Sequence, residues 1–223
     1  MEPSLVIRPD ISLSEEWVLP FLLLVLLVTA YVRVNFPSRI QKVWRGYFNV
    51  RFRRQSMREE SNVPKEYFLF HVVFAILFAL IIFGALKHFH INVMGLSGIL
   101  LYICCIGAVI GVYTLKLFSY RFLAFLSAGD FSLGEFQYVT FLGLRFLVFF
   151  FFPLNFLLFY LPQIYATPIL LLAFILFVIN YLYRLITGFT NALNAGVGVF
   201  YIFFYICTLE ILPLLVSYKA LAQ

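Results

Sequence analysis

Unbroken apolar runs about a helical span long alternate with short polar ones along most of this chain, and one basic stretch interrupts them. A span needs about 20 apolar residues, and six runs come near that length. They cover residues 17–34, 67–86, 96–117, 141–161, 168–183 and 197–216. The runs are continuous rather than alternating, which predicts helices and argues against a β-barrel. The fold class expected is therefore all-α: a polytopic membrane helical bundle of about six transmembrane helices plus an interfacial amphipathic helix. Residues 1–13 read as an exposed polar tail and residues 14–223 as one transmembrane domain. Ser14 before Glu15 and Glu16 is a suitable helix N-cap.

Residues 36–50 carry a different pattern. At about 100° per residue, Phe36, Ile40, Val43, Trp44, Tyr47 and Phe48 share one face. Arg39, Gln41, Lys42, Arg45 and Asn49 fall on the other. Such a helix lies in the membrane interface with its cations at headgroups. Past Val50 the pattern fails, because Arg51 and Arg54 would join the apolar face. Residues 51–65 are therefore expected to leave the surface, with Pro64 opening the next helix.

Three further irregularities are expected. Residues 118–128 show no clean amphipathic face, which suggests a short separate helix, a turn at residues 127–130 and re-entry near Ser132. Pro153 should kink the fourth span. Thr167-Pro168 should cap and begin the fifth, and Thr187-Gly188 with residues 191–196 should turn the chain into the sixth.

Charge fixes the expected orientation. Nine of the sixteen Lys/Arg residues lie between Arg33 and Lys65. Placing that loop on the cytoplasmic side puts thirteen cations inside and leaves Arg8, Lys87 and Lys219 outside, with a periplasmic N-terminus. A five-span alternative would move the C-terminus inside. The formal net charge of +6 follows from this clustering and from attraction to anionic lipid, so nucleic acid is not an expected partner. The lipid-headgroup candidates are Arg39, Lys42, Arg45, Arg51, Arg53 and Arg54.

With 64% hydrophobic and 12% charged residues, few side chains remain to carry chemistry. Glu210 interrupts the last run and has two readings: a proton, cation or partner site, or a hydrogen-bonded structural acid. Arg145 is expected to snorkel to headgroups or to pair with Glu135. His71 is expected to be a bundle-facing histidine, and Asn155 and Asn180 to bridge helices. Gly107 and Gly111 form a small-xxx-small pair that admits a close helix neighbour. Cys104, Cys105 and Cys207 all lie in apolar runs and read as buried thiols rather than a disulfide framework. His88-x-His90 lacks the further ligands that zinc requires, and no Walker loop or nucleophile elbow occurs. No cofactor or metal is expected, and an enzyme is less favoured than a binding or structural protein.

Residues 36–61, with Tyr47-Phe48-Asn49 and Arg53-Arg54-Gln55 followed by an aromatic-rich span, resemble an uncharacterised Bacteroidota family. Its members are multi-pass inner-membrane proteins of about this length, grouped as a domain of unknown function. The resemblance implies a bacterial cytoplasmic membrane and supplies neither a reaction nor functional residues. Three functions remain open. The preferred one is a non-enzymatic accessory or scaffold subunit of an inner-membrane complex, with a possible link to type 9 secretion or gliding machinery. The others are a small proton-coupled transporter or channel using Glu210, and a lipid-acting enzyme or flippase.

Overall fold

The computed structural model describes residues 13, 15–35, 37–59, 65–91, 95–126 and 131–194. Among them are seven α-helices and no strand: α1 (Val18–Asn35), α2 (Pro37–Phe48), α3 (Val50–Glu59), α4 (Lys65–His88), α5 (Gly98–Leu126), α6 (Phe131–Tyr160) and α7 (Ala166–Asn194). A single 3-10 turn, Gln163–Tyr165, leads into α7. Five of these elements are long and apolar enough to cross a membrane: Val18–Asn35, Leu69–His88, Gly98–Lys116, Tyr138–Tyr160 and Gln163–Thr190. The protein is a helical membrane bundle. The sixth expected span, with Glu210 and Cys207, lies outside the described residues.

The bundle is built around α4 and α6. Their apolar windows are 44% and 56% buried, against 22% for α1 and 17% each for α5 and α7. Aromatic rings fill the space between the central helices. Phe78 stacks on Phe74, Phe151 and Phe177 at centroid separations of 5.4, 5.9 and 5.2 Å. Phe83 stacks on Phe159, and Trp17 on Tyr102 at 4.9 Å. Ring pairs of this kind add about 0.5–1.5 kcal/mol each beyond their buried area. In lipid, where apolar burial drives little, such packing holds helices together.

The five long helices alternate in direction. At one end Lys87 Nζ donates to Glu15 Oε1 at 3.0 Å and to Leu13 O at 3.2 Å. His88 Nε2 lies 2.9 Å from Thr167 Oγ1 at that end. Trp17 Nε1 also donates to Glu15 there. Away from that end α2 packs on α6 through Val43, Tyr47 and Leu142. The start of α1, the end of α4 and the start of α7 therefore share one end, and α2 packs along the half of α6 remote from it.

Several local expectations change. Residues 50–59 form a helix of their own, α3, after a one-residue interruption at Asn49. There is no separate short helix after the third span: α5 runs unbroken from Gly98 to Leu126. Residues 118–126 contain no Pro or Gly, so nothing there breaks a helix, and a missing amphipathic face is no obstacle to one that is apolar all round. The fifth span starts at Ala166, with Pro168 inside its first turn, and passes through Thr187 and Gly188 as far as Asn194. One interior glycine costs a helix about 1 kcal/mol, which α7 tolerates with Gly188 buried. Pro153 lies inside the continuous helix α6.

Candidate functional site

Polar side chains collect where α2 and α3 meet α6 and α7. Asn49 creates the arrangement. It sits between the two helices, and its Oδ1 accepts hydrogen bonds from the backbone N–H of Arg51 at 3.0 Å and of Phe52 at 3.2 Å. That is N-cap behaviour. The backbone stays close to helical, with Arg53 N donating to Asn49 O. Arg53 is buried towards the bundle, seven residues after buried Gly46, and Arg51 is exposed.

Tyr47 joins three helices. Its ring lies 4.1 Å from that of Phe146 with 5° between planes, and 4.7 Å from Tyr183. Its hydroxyl donates to Asn180 Oδ1 at 3.2 Å, while the Tyr183 hydroxyl donates to Tyr47 O at 2.5 Å. Arg53 Nη1 in turn donates to the Tyr183 hydroxyl at 3.3 Å. Burial, and after it the neighbouring Tyr183, push the Tyr47 phenol up to about 12. It is therefore a protonated donor throughout the physiological range.

Gly143 on α6 makes room for Asn180. A Cβ at position 143 would stand 2.6 Å from Asn180 Oδ1. Around this point Thr140, Arg145, Arg184 and Thr187 are also buried. The Arg184 guanidinium lies over the Tyr181 ring at 4.9 Å. Phenol and guanidinium donors are concentrated here, which suits the layer to locking helices together.

The family described as Domain of unknown function (DUF4271) matches residues 18–221. The chain belongs to this family. No curated protein and no solved structure matches it. The DUF4271 match takes in every helix described above, from α1 to α7.

The other sequence candidates in this DUF4271 chain fall in several places. Arg53 was expected at headgroups and is instead 1% exposed, with Nε and Nη2 making no hydrogen bond. Arg145 is 3% exposed and does not snorkel, because α6 is the most enclosed of the long helices. Glu135 lies in the first turns of α6 and Arg39 and Arg54 in α2 and α3, their side chains outside the described set. Lys42 is half-buried, while Arg45 and Arg51 are exposed. His71 faces the bundle, its ring 4.9 Å from Phe141 and 5.9 Å from Tyr113.

Asn155 does bridge helices, its Nδ2 donating to Phe151 O at 2.8 Å and to Leu77 O on α4 at 3.0 Å. Gly107 and Gly111 are exposed, and a Cβ on either would meet open space among the described residues. Cys105 is buried as expected, but Cys104 is exposed. The residues missed from sequence are Tyr47 and Tyr183 as hydrogen-bonding partners, and Arg184. A tyrosine on an apolar helical face looks like any other hydrophobic position until its partner 133 residues away is known.

Proposed function

We propose that the chain is a non-enzymatic accessory or scaffold subunit of a protein complex in the bacterial cytoplasmic membrane. One observation carries this reading. Two buried amides within the spans clasp helices, Asn155 between α6 and α4 and Asn180 between α7 and α2, and aromatic rings fill the space between the central helices. Such an interior suits a rigid support. The thinly buried faces of α5 and α7 supply apolar area for neighbouring subunits. The resemblance to a Bacteroidota family makes type 9 secretion and gliding machinery the first complexes to search.

The test is affinity purification of the full chain from native membranes in mild detergent, with cross-linking and mass spectrometry. A stoichiometric membrane partner is expected. Gly107→Leu, at an open position, should weaken that association without lowering the melting temperature. Recovery solely as an isolated monomer would defeat the proposal. The competing readings make other demands. A proton-coupled transporter using Glu210 requires flux in proteoliposomes that Glu210→Gln abolishes, and a flippase or lipid-acting enzyme requires lipid translocation or turnover.

A further inference from the structure

The outer side of the α2–α3 junction is hollowed into an open cleft of about 880 Å³. Trp44, Arg45 and Phe48 from α2 line it together with Asn49, Arg51 and Phe52. Among the described residues, no acidic one lines it. Its two arginines are both exposed, unlike Arg53, which is buried against the bundle. The first amides of α3 are not available to a ligand, because Asn49 Oδ1 already holds the N–H groups of Arg51 and Phe52. Anion binding in this cleft therefore falls to the two guanidinium groups, whose planar donor forks match phosphate.

The aromatic wall says what kind of anion. Trp44 and Phe48 are 40% and 70% exposed although their inner edges pack on Phe146 at 5.0 and 5.8 Å. Trp44 also reaches Phe149 and Phe150, which lie in the middle of the apolar window Tyr138–Tyr160 of α6. The cleft thus joins a pair of cations to an apolar surface that continues to span depth. A free phosphate would use only the cations. A molecule with an anionic head and a hydrocarbon tail would use both.

We infer that this cleft is a discrete binding site for one anionic phospholipid, with Arg45 and Arg51 holding the headgroup phosphate and Trp44 and Phe48 supporting an acyl chain. It differs from diffuse attraction of a basic segment to a charged membrane. The site has a fixed stoichiometry, and Arg53, in the same basic segment, contributes nothing to it directly.

The experiment is native mass spectrometry of the full-length protein in a neutral detergent, titrated with phosphatidylglycerol or phosphatidylcholine. One phosphatidylglycerol should stay bound at concentrations where phosphatidylcholine does not. Arg51→Gln should weaken it about tenfold and the Arg45→Gln/Arg51→Gln pair further, since each charge-assisted hydrogen bond lost is of roughly that size. Arg33→Gln, an exposed cation at the end of α1, should leave binding unchanged, and Trp44→Ala should weaken it at constant charge. Circular dichroism checks that each variant is folded, and the single Arg51→Gln change serves if the double variant is not.

Equal retention of phosphatidylcholine, an equal loss in Arg33→Gln, or full binding by Arg51→Gln would each overturn the inference. Displacement of the lipid by millimolar inorganic phosphate would assign the site to free phosphate instead and overturn it as well.

Discussion

Asn180 of α7 occupies the space that a side chain on Gly143 of α6 would fill, its Oδ1 only 2.6 Å and its Nδ2 3.1 Å from the missing Cβ. No real Cβ makes contacts that short with a fixed neighbour. Asn180 cannot retreat freely, because Tyr47 holds the same oxygen. Gly143→Ala should therefore push α6 and α7 apart and break the Tyr47–Asn180 bond. The expected loss is about 1–3 kcal/mol, typical of overpacking. Combining it with Asn180→Ala should recover part of that loss, so a double-mutant cycle on thermal stability in detergent should show coupling between the two sites.

Two other glycines make opposite forecasts. Gly84→Ala would bring a Cβ to 2.6 Å from Leu158 Cδ2 in the core and should lower the melting temperature, since Leu158 is itself buried. Gly107→Ala meets nothing among the described residues and should be neutral or slightly stabilising, alanine being the better helix former. A measured order opposite to this would contradict the packing of α4 against α6.

Arg53 offers a test of how a buried cation is tolerated. Two of its nitrogens lack hydrogen bonds, so its desolvation is incompletely repaid. Arg53→Met keeps the volume and removes the charge, and should be neutral or stabilising by about 1 kcal/mol or more. Tyr183→Phe instead removes the acceptor that the guanidinium has, and should destabilise by about 1–3 kcal/mol. Denaturant titrations of the two variants in the same detergent check both.

The raised Tyr47 phenol gives a pH dependence. Its ordinary value of 10.0 becomes about 12 in the folded protein. Below pH 10 both the folded and unfolded forms keep the proton, and the contribution is flat. Between 10 and 12 the unfolded chain loses its proton while the folded one retains it, so stability falls as pH rises. The drop in melting temperature between pH 8 and pH 11 should be smaller in Tyr47→Phe than in the wild type.

Asn155 should behave as a moderate clasp. Both Asn155→Ala and Asn155→Leu remove the bond to Leu77 O and the Oδ1 acceptor that has no hydrogen bond, but alanine leaves a void that leucine fills. Interhelical hydrogen bonds in membranes average about 0.6 kcal/mol. The alanine variant should lose more stability than the leucine variant, as measured by unfolding in mixed micelles.

Much of this fold is legible one residue at a time. The apolar runs that become α1 and α4 need only counting, and the period of Val43 and Tyr47 reveals the inward face of α2. Asn49 was legible too, but as a cap rather than as a member of the polar face. An Asn directly before a new helical stretch is a start signal, and taking it as one predicts α3. The continuity of α5 is not legible from amphipathicity, because a helix apolar all round has no polar face to mark it. The polar layer was beyond reach, because Tyr47, Arg53, Gly143 and Asn180 come from four helices and nothing local to any of them names the others. Glu210 lies outside the described residues, so its two readings stand on sequence alone.

The length of α5 and α6 has a mechanical consequence. With 29 and 30 residues they extend about 44 and 45 Å at about 1.5 Å per residue, against roughly 30 Å of hydrocarbon. Both therefore tilt or reach past the hydrocarbon, at a fraction of a kcal/mol per Å of mismatch. A thicker bilayer stands the two helices more upright and a thinner one leans them further, so whatever binds their ends is coupled to the thickness of the sheet in which the protein is set.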